Sequence, residues 1–162
     1  MSRQSPNEGW DTAIRLGLIT GIRSMSAPAI LSTRLAKQKP DALADTPLAW
    51  LASPEAARVL QVMAAGELVG DKLPFTPNRT DWGPLLWRLA WGALLGATVG
   101  RTKKDSPVPY MIAGGVAAVI SAYVFTTIRV QISKRLPFTS FFLGVAEDAL
   151  VVAIGADMLD QG

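Results

Sequence analysis

Four carboxylates interrupt the apolar stretches of this chain at positions where they could do chemistry. Glu67 and Asp71 are four residues apart, which places both on one face of a helix. Glu147 and Asp148 are consecutive, so on a helix they point about 100° apart and serve different neighbours. Carboxylates in such a setting can carry protons, bind a hard cation or do acid and base work.

Basic side chains in the same stretches balance these acids. An isolated charge at the centre of a bilayer costs about 3 kcal/mol on insertion scales, so the charged groups are expected to face inward and pair. Glu67 and Asp71 can both point at one neighbour, for which Arg23 is the natural candidate. The cations within the apolar spans are Arg23, Lys72, Arg88 and Arg129.

Three interpretations of these charges stay open. They could be structural ion pairs that fix helix register, since buried pairs can specify packing without adding net stability. They could line a polar pathway for protons, a cation or a small polar solute, because ionisable groups inside a membrane are usually functional. They could also serve an intramembrane enzyme, but no nucleophile motif accompanies them. The sequence therefore predicts no enzyme and no catalytic residue.

The composition narrows the chemistry further. The chain has neither histidine nor cysteine, which removes imidazole bases, disulfides, zinc–thiolate sites and iron–sulfur clusters. We accordingly expect no cofactor and no metal site. The net charge of +3 comes from 16 basic and 13 acidic residues that lie beside apolar spans rather than along one polar face. A nucleic-acid partner is therefore not expected.

The elements that must position the charges are apolar helices. The chain has 162 residues, a length that suits one domain. Hydrophobic residues make up 49% of it and charged residues 18%, against about 25% charged in soluble domains, which favours a membrane protein. The segment 110–128, "YMIAGGVAAVISAYVFTTI", lacks the polar stripe of a soluble helix. We predict an all-α, polytopic membrane bundle of five helices, each near the roughly 20 residues that cross a bilayer. They cover residues 12–35, 54–73, 83–100, 108–132 and 139–159.

Two local patterns refine this picture. Gly92, Gly96 and Gly100 recur at spacing four in the third span, which lets a neighbouring backbone approach closely and leaves a homodimer open. Within the first span, Pro28 could break the helix beside Arg23 and expose backbone carbonyls, although a simple kink is the plainer interpretation.

The chain also carries a short internal echo. "GIR" at Arg23 followed by "GE" at Glu67 resembles "TIR" at Arg129 followed by "AED" at Glu147 and Asp148. Because one helix lies between the two pairs, the second pair would run opposite to the first. The pattern is consistent with an inverted repeat of helix pairs 1–2 and 4–5, as in many transporters.

Three stretches resemble the signatures of a bacterial membrane-protein family described as domain of unknown function 4126. They are "GLITGIRSMSAPAIL", "GELVGDKLPFTPNRT" and "AEDALVVAIG". The resemblance covers about residues 17–155 and implies a small multi-pass membrane protein, but no reaction. Its most specific part is Glu67, Asp71, Lys72, Pro74, Pro77 and Arg79, with Arg23 and Glu147-Asp148 as further matches.

The expected function is permeation or transport of a small ion or polar solute across the bacterial cytoplasmic membrane, with lipid as the surrounding partner. Glu67 and Glu147 are expected to take up a proton or cation, with Arg23 and Arg129 as their charge partners. Asp71 and Lys72 are expected to form a gate toward the following loop. The alternative is a structural or lipid-interacting protein in which the charges only hold the helices together.

Overall fold

The backbone is helical throughout the part of the chain that can be described. A computed structural model describes residues 6–70, 82–135 and 139–160, with side chains described over 8–69, 82–132 and 142–159. Within these ranges there are six α-helices, two short 3₁₀ turns (Asp41–Leu43 and Ala49–Ala52) and no strand. The all-α prediction is therefore confirmed for these residues. The helices are α1 (Pro6–Ile22), α2 (Ser26–Gln38), α3 (Pro54–Gly70), α4 (Trp82–Thr102), α5 (Pro107–Arg135) and α6 (Thr139–Asp160).

The first predicted span, residues 12–35, is two helices rather than one. α1 ends at Ile22 and α2 begins at Ser26, so residues 23–25 form a break. Pro28 is the third residue of α2, where an N–H would have no intrahelical partner and its absence is tolerated. In a continuous helix the Pro28 ring would clash with the carbonyl of Ser24, four residues earlier. The break therefore lies where the proline requires it.

α1 and α5 pack with their backbones in close contact. A Cβ atom added at Gly17 would collide with the carbonyl oxygen of Gly114, and one added at Gly21 would collide with that of Ala118. Beside this seam, the Ser121 hydroxyl donates a hydrogen bond of 2.7 Å to the Leu18 carbonyl. The absence of side chains at Gly17 and Gly21 thus brings α1 against the centre of the longest helix.

α4 and α5 form a hairpin along the predicted glycine series. An added Cβ at Gly92 would lie 2.5 Å from the Gly114 carbonyl oxygen, and one at Gly96 would collide with the Tyr110 carbonyl. At Gly100 it would come within 2.9 Å of the Pro107 Cα atom. All three glycines therefore face α5, and α1, α4 and α5 form the centre of the fold.

The other helices surround this centre. α2 turns back beside α1 after the break, since Thr12 of α1 and Arg34 of α2 line the same cavity. α3 packs on α2 and begins where the Ser53 hydroxyl accepts a 3.1 Å hydrogen bond from the Ala56 N–H. This N-cap is the one that the Ser53-Pro54 start predicts. α3 packs mainly on α2 and on the turn Ala49–Ala52, whereas α6 contacts α1, α2 and α5.

One helix among the described residues is long and apolar enough to cross a membrane. It is Pro107–Ile132, whose most apolar window has a mean hydropathy of 1.9 and is 33% buried. The sequence predicted five such spans. The other four are not confirmed as spans among the described residues.

Candidate functional site

The break between α1 and α2 presents backbone donors to a neighbouring helix. The Arg23 N–H still bonds to the Ile19 carbonyl at 2.7 Å, which completes α1. Ser24 and Met25 follow, and Met25, the N-cap of α2, has no capping hydrogen bond from its own side chain. The N–H groups of Ser24 and Met25 thus need an acceptor from elsewhere in the fold.

Glu67 of α3 supplies that acceptor. Its Oε1 accepts hydrogen bonds from both the N–H and the hydroxyl of Ser24, each at 2.8 Å, and its Oε2 accepts one from the Met25 N–H at 2.8 Å. The carboxylate therefore caps α2 from another helix, and its negative charge complements the positive end of that helix dipole.

Arg23 pairs with α6 rather than with Glu67. Its Nε and Nη2 both donate to Oδ1 of Asp148, at 2.8 and 2.7 Å. The Arg23 side chain is 2% exposed, and that of Asp148 is 23% exposed. The expected pairing of Glu67 with Arg23 was therefore wrong, because the Ser24 and Met25 backbone takes the Glu67 carboxylate and leaves the guanidinium to Asp148.

A second ion pair holds α6 along α1. Arg15 lies eight residues before Arg23, and its Nη1 contacts Oδ2 of Asp157, nine residues after Asp148, at 2.7 Å. Arg15 also pairs with Asp11 at 2.7 Å. The order of these pairs shows that α6 runs antiparallel to α1. The sequence analysis did not identify this pair, whose residues lie 142 positions apart.

The other charged residues that the sequence analysis identified, where they are described, lie on α4, α5 and α6. Glu147 is buried, with 6% of its surface exposed, beside Asp148 on α6. Arg129 of α5 faces α6 at Gly144, where an added Cβ would lie 3.1 Å from Nη2. No ion pair of Arg129 occurs within the described ranges, so its expected pairing with Glu147 is not observed there. Arg88 is buried on α4, and its Nη1 donates to the Pro84 carbonyl at 3.2 Å.

The proposed gate and loop motif cannot be assigned a geometry. Asp71, Lys72, Pro74, Pro77 and Arg79 all lie outside the described residues. Among the residues whose side chains are described, no three acidic groups come together as a metal site.

The geometry brings two helices to one short segment. Residues 23–25 carry a cation that meets α6 and two amide donors that meet α3. From the sequence, Pro28 predicted a possible break beside Arg23 with exposed carbonyls, but the N–H groups of Ser24 and Met25 were not identified. A backbone N–H has no sequence signature of its own.

The chain belongs to the family described as domain of unknown function (DUF4126), whose model matches residues 12–158. The match includes Arg23, Glu67 and Asp148, the residues that meet at the break. No curated protein and no solved structure matches the chain.

Proposed function

We propose that this member of the DUF4126 family is a multi-pass protein of the bacterial cytoplasmic membrane that allows a small ion or polar solute to permeate. The permeation route passes the break at residues 23–25. Glu67 and the Arg23–Asp148 pair are the groups that the solute or a proton meets there.

Exposed apolar side chains support the membrane placement. They occur on four successive helices, whereas soluble monomers rarely expose contiguous apolar patches beyond a few hundred Å². Lipid is the surrounding medium that these side chains fit. The most exposed examples are Val62 (72%) and Val69 (67%) on α3, Trp82 (80%) on α4, Ile112 (58%) on α5, and Phe142 (68%) and Val152 (67%) on α6.

The observation that carries the proposal is the break in the first predicted span, where residues 23–25 bind Glu67 of α3 and Asp148 of α6. In a bilayer, non-helical backbone occurs only where it is buried in protein or lines a polar cavity. Transporters place such discontinuous helices at their binding sites, because freed backbone groups can exchange between protein and solute. Residues 23–25 have this arrangement, since Glu67 binds the freed N–H groups.

Glu67 is the group whose state controls the route. Protonation removes the negative charge that the Ser24 and Met25 donors bind, and weakens the link between α3 and α2. α3 has its main contacts with α2 and with the turn Ala49–Ala52, so it can shift without disturbing α1, α4 and α5. Arg23 stays with Asp148 during this shift, while Glu147 and Arg129 continue the polar lining and Asp71 with Lys72 gates the loop side.

A structural role is the competing function, and one observation favours it. The charged groups at the break are already bound, with three hydrogen bonds on Glu67 and two from Arg23 to Asp148. A set of buried charges that satisfy one another can serve only to fix helix packing. The two functions differ in whether a folded protein without the Glu67 charge still conducts.

Flux in liposomes tests the proposal. The purified full chain is reconstituted with a pH-sensitive dye under imposed proton, Na⁺ and K⁺ gradients. Wild type and Glu55→Gln, a matched change at an exposed site on the same helix, should conduct, whereas Glu67→Gln and Glu147→Gln should not. Thermal melting of each variant shows that the protein is folded.

Two results would decide against the proposal, the first against permeation itself and the second against the role of Glu67. Absence of flux above empty liposomes for all three ions, from well-folded wild type, would favour the structural function. Equal flux from Glu67→Gln and Glu55→Gln would remove Glu67 from the route.

A further inference from the structure

A second polar site lies away from the break, at the end of the bundle where α5 begins. A partly open cavity of about 160 Å³ lies between the first half of α1, the last turns of α2 and the end of α4. Its apolar floor includes Leu35 and Val99, both almost fully buried. The polar groups on its wall are Thr12, Arg34, Gln38, Thr102 and Lys103.

The charged residues that line the cavity are Arg34 and Lys103, and no carboxylate is among the lining residues. Arg34 forms no ion pair within the described part of the chain. Lys103 reaches Glu8 at 3.8 Å, but Glu8 is not part of the wall. Gln38 adds an amide that can donate. An Arg and a Lys that converge on one small cavity are the groups that bind a phosphate or carboxylate, and arginine does so with two parallel hydrogen bonds.

Backbone and hydroxyl bonds cover part of the helix ends beside the cavity. The Leu35 carbonyl of α2 accepts from the Lys39 N–H at 2.8 Å, and the Gly100 carbonyl of α4 accepts from the Asp105 N–H at 3.0 Å. The Thr102 hydroxyl also bonds to the Val99 carbonyl at 2.8 Å. Because Arg34 has no ion pair among the described residues, its guanidinium can bind a group in the cavity.

We propose that this cavity, between Arg34 of α2 and Lys103 after α4, binds a phosphate group. Its volume resembles that of the roughly 150 Å³ protein cavity that holds benzene, so an inorganic phosphate or the phosphate of a lipid headgroup fits it. Thr102 and Lys103 lie just before the apolar segment Pro107–Ile132, which is the level at which headgroups meet a membrane protein. The lipid source rests on the proposed membrane placement, whereas the free-phosphate source does not.

Thermal melting of the full chain tests the site and distinguishes its two sources. In a detergent without phosphate, inorganic phosphate is added at constant ionic strength. In a separate series, phosphatidylglycerol or phosphatidylcholine is added to the micelles. A bound ligand should raise the Tm by about 5 °C at a concentration near 100 Kd. A response to inorganic phosphate identifies free phosphate, and a response to phosphatidylglycerol alone identifies the anionic headgroup.

Two variants make the test specific. Arg34→Gln should weaken the response about tenfold, because a charge-assisted bidentate contact is lost. Lys37→Gln removes the same charge from an exposed position one turn farther along α2, and should keep the wild-type response. If Arg34→Gln lowers the Tm without ligand, Lys103→Gln gives the second measurement.

Two outcomes would overturn the phosphate site. The first is no Tm response of the wild type to either phosphate or phosphatidylglycerol. The second is an equal loss of response in Arg34→Gln and Lys37→Gln, which would reduce the effect to general charge at this end. Neither outcome bears on flux through the break, so the phosphate site and the proposed permeation fail separately.

Discussion

Glu67 binds Ser24 twice, through the backbone N–H and through the hydroxyl, with both hydrogen bonds 2.8 Å long and both on the same carboxylate oxygen. The two residues lie 43 positions apart, with Ser24 in the break between α1 and α2 and Glu67 on α3. With the Met25 N–H on the other oxygen, this contact closes the break in the first apolar span. The carboxylate that the sequence marks as a candidate ion-pair partner is thus a helix cap.

Glu67→Gln should lower the free energy of unfolding by about 1–3 kcal/mol. The glutamine amide has one acceptor oxygen in place of two, so at least one N–H of Ser24 or Met25 loses its bond, and an unsatisfied buried donor costs about this much. Denaturant unfolding in detergent measures the change. Glu55→Gln, at an exposed position of the same helix, should change stability by less than about 1 kcal/mol. Equal stability of Glu67→Gln and wild type would show that the cap contributes nothing.

Asp148→Asn should destabilise the protein by about 3 kcal/mol. The change removes the charge opposite Arg23, whose side chain is 2% exposed, and removing one partner of a buried ion pair is strongly destabilising. The matched control is Asp157→Asn on the same helix. Asp157 pairs with Arg15, and their side chains are 50% and 37% exposed, respectively. That pair should contribute about 0–1 kcal/mol. Similar losses in both variants would contradict the difference in burial.

The double variant Arg23→Met/Asp148→Leu should recover much of the stability lost in Asp148→Asn. Replacing both members of a buried ion pair by apolar side chains is often neutral or stabilising, because neither charge of the pair has to be desolvated any longer. The same unfolding measurement gives the coupling between the two positions. A double variant less stable than Asp148→Asn would show that Arg23 stabilises the fold mainly through contacts other than this pair.

Gly96→Ala should destabilise the α4–α5 hairpin by about 1–3 kcal/mol, as overpacking in a tight contact does. The added methyl group collides with the Tyr110 carbonyl, which is backbone and cannot rotate away. Gly66→Ala is the control, since nothing lies within 4 Å of its added Cβ on α3. Alanine there should add about 0.5–1 kcal/mol through helix propensity. The two melting temperatures should move in opposite directions.

Cysteine labelling should locate the lipid-facing surface. The chain contains no cysteine, so each introduced thiol reports one position. Val124 in α5 is 46% exposed, and Ala44 after the turn Asp41–Leu43 is also exposed. In vesicles permeabilised by freezing and thawing, a water-soluble maleimide should label Ala44→Cys and leave Val124→Cys unlabelled, because lipid covers α5. Equal labelling of both thiols would contradict the membrane placement.

Part of the fold was predictable because it depends on local physics. Apolar spans of about 20 residues predicted the helical class, and the predicted start of the second span at residue 54 agrees with α3, whose N-cap is Ser53. The glycines at 92, 96 and 100 were identified by their spacing alone. The first span was predicted as residues 12–35 with Pro28 as either a kink or a break beside Arg23, and the structure has the break, at residues 23–25, because the proline ring acts on the carbonyl four residues earlier.

The sequence by itself determined which residues can carry chemistry. A chain without histidine or cysteine depends mainly on carboxylates, cations and backbone groups. The charged residues among these are recognisable because they interrupt apolar stretches. Only the tertiary structure decided which of them meet. From the sequence, Arg23 could pair with any inward-facing carboxylate. In the structure Glu67 binds the two N–H groups of the break, and Arg23 pairs with Asp148. Such a preference depends on distances between residues 43 and 125 positions apart, which no local pattern encodes.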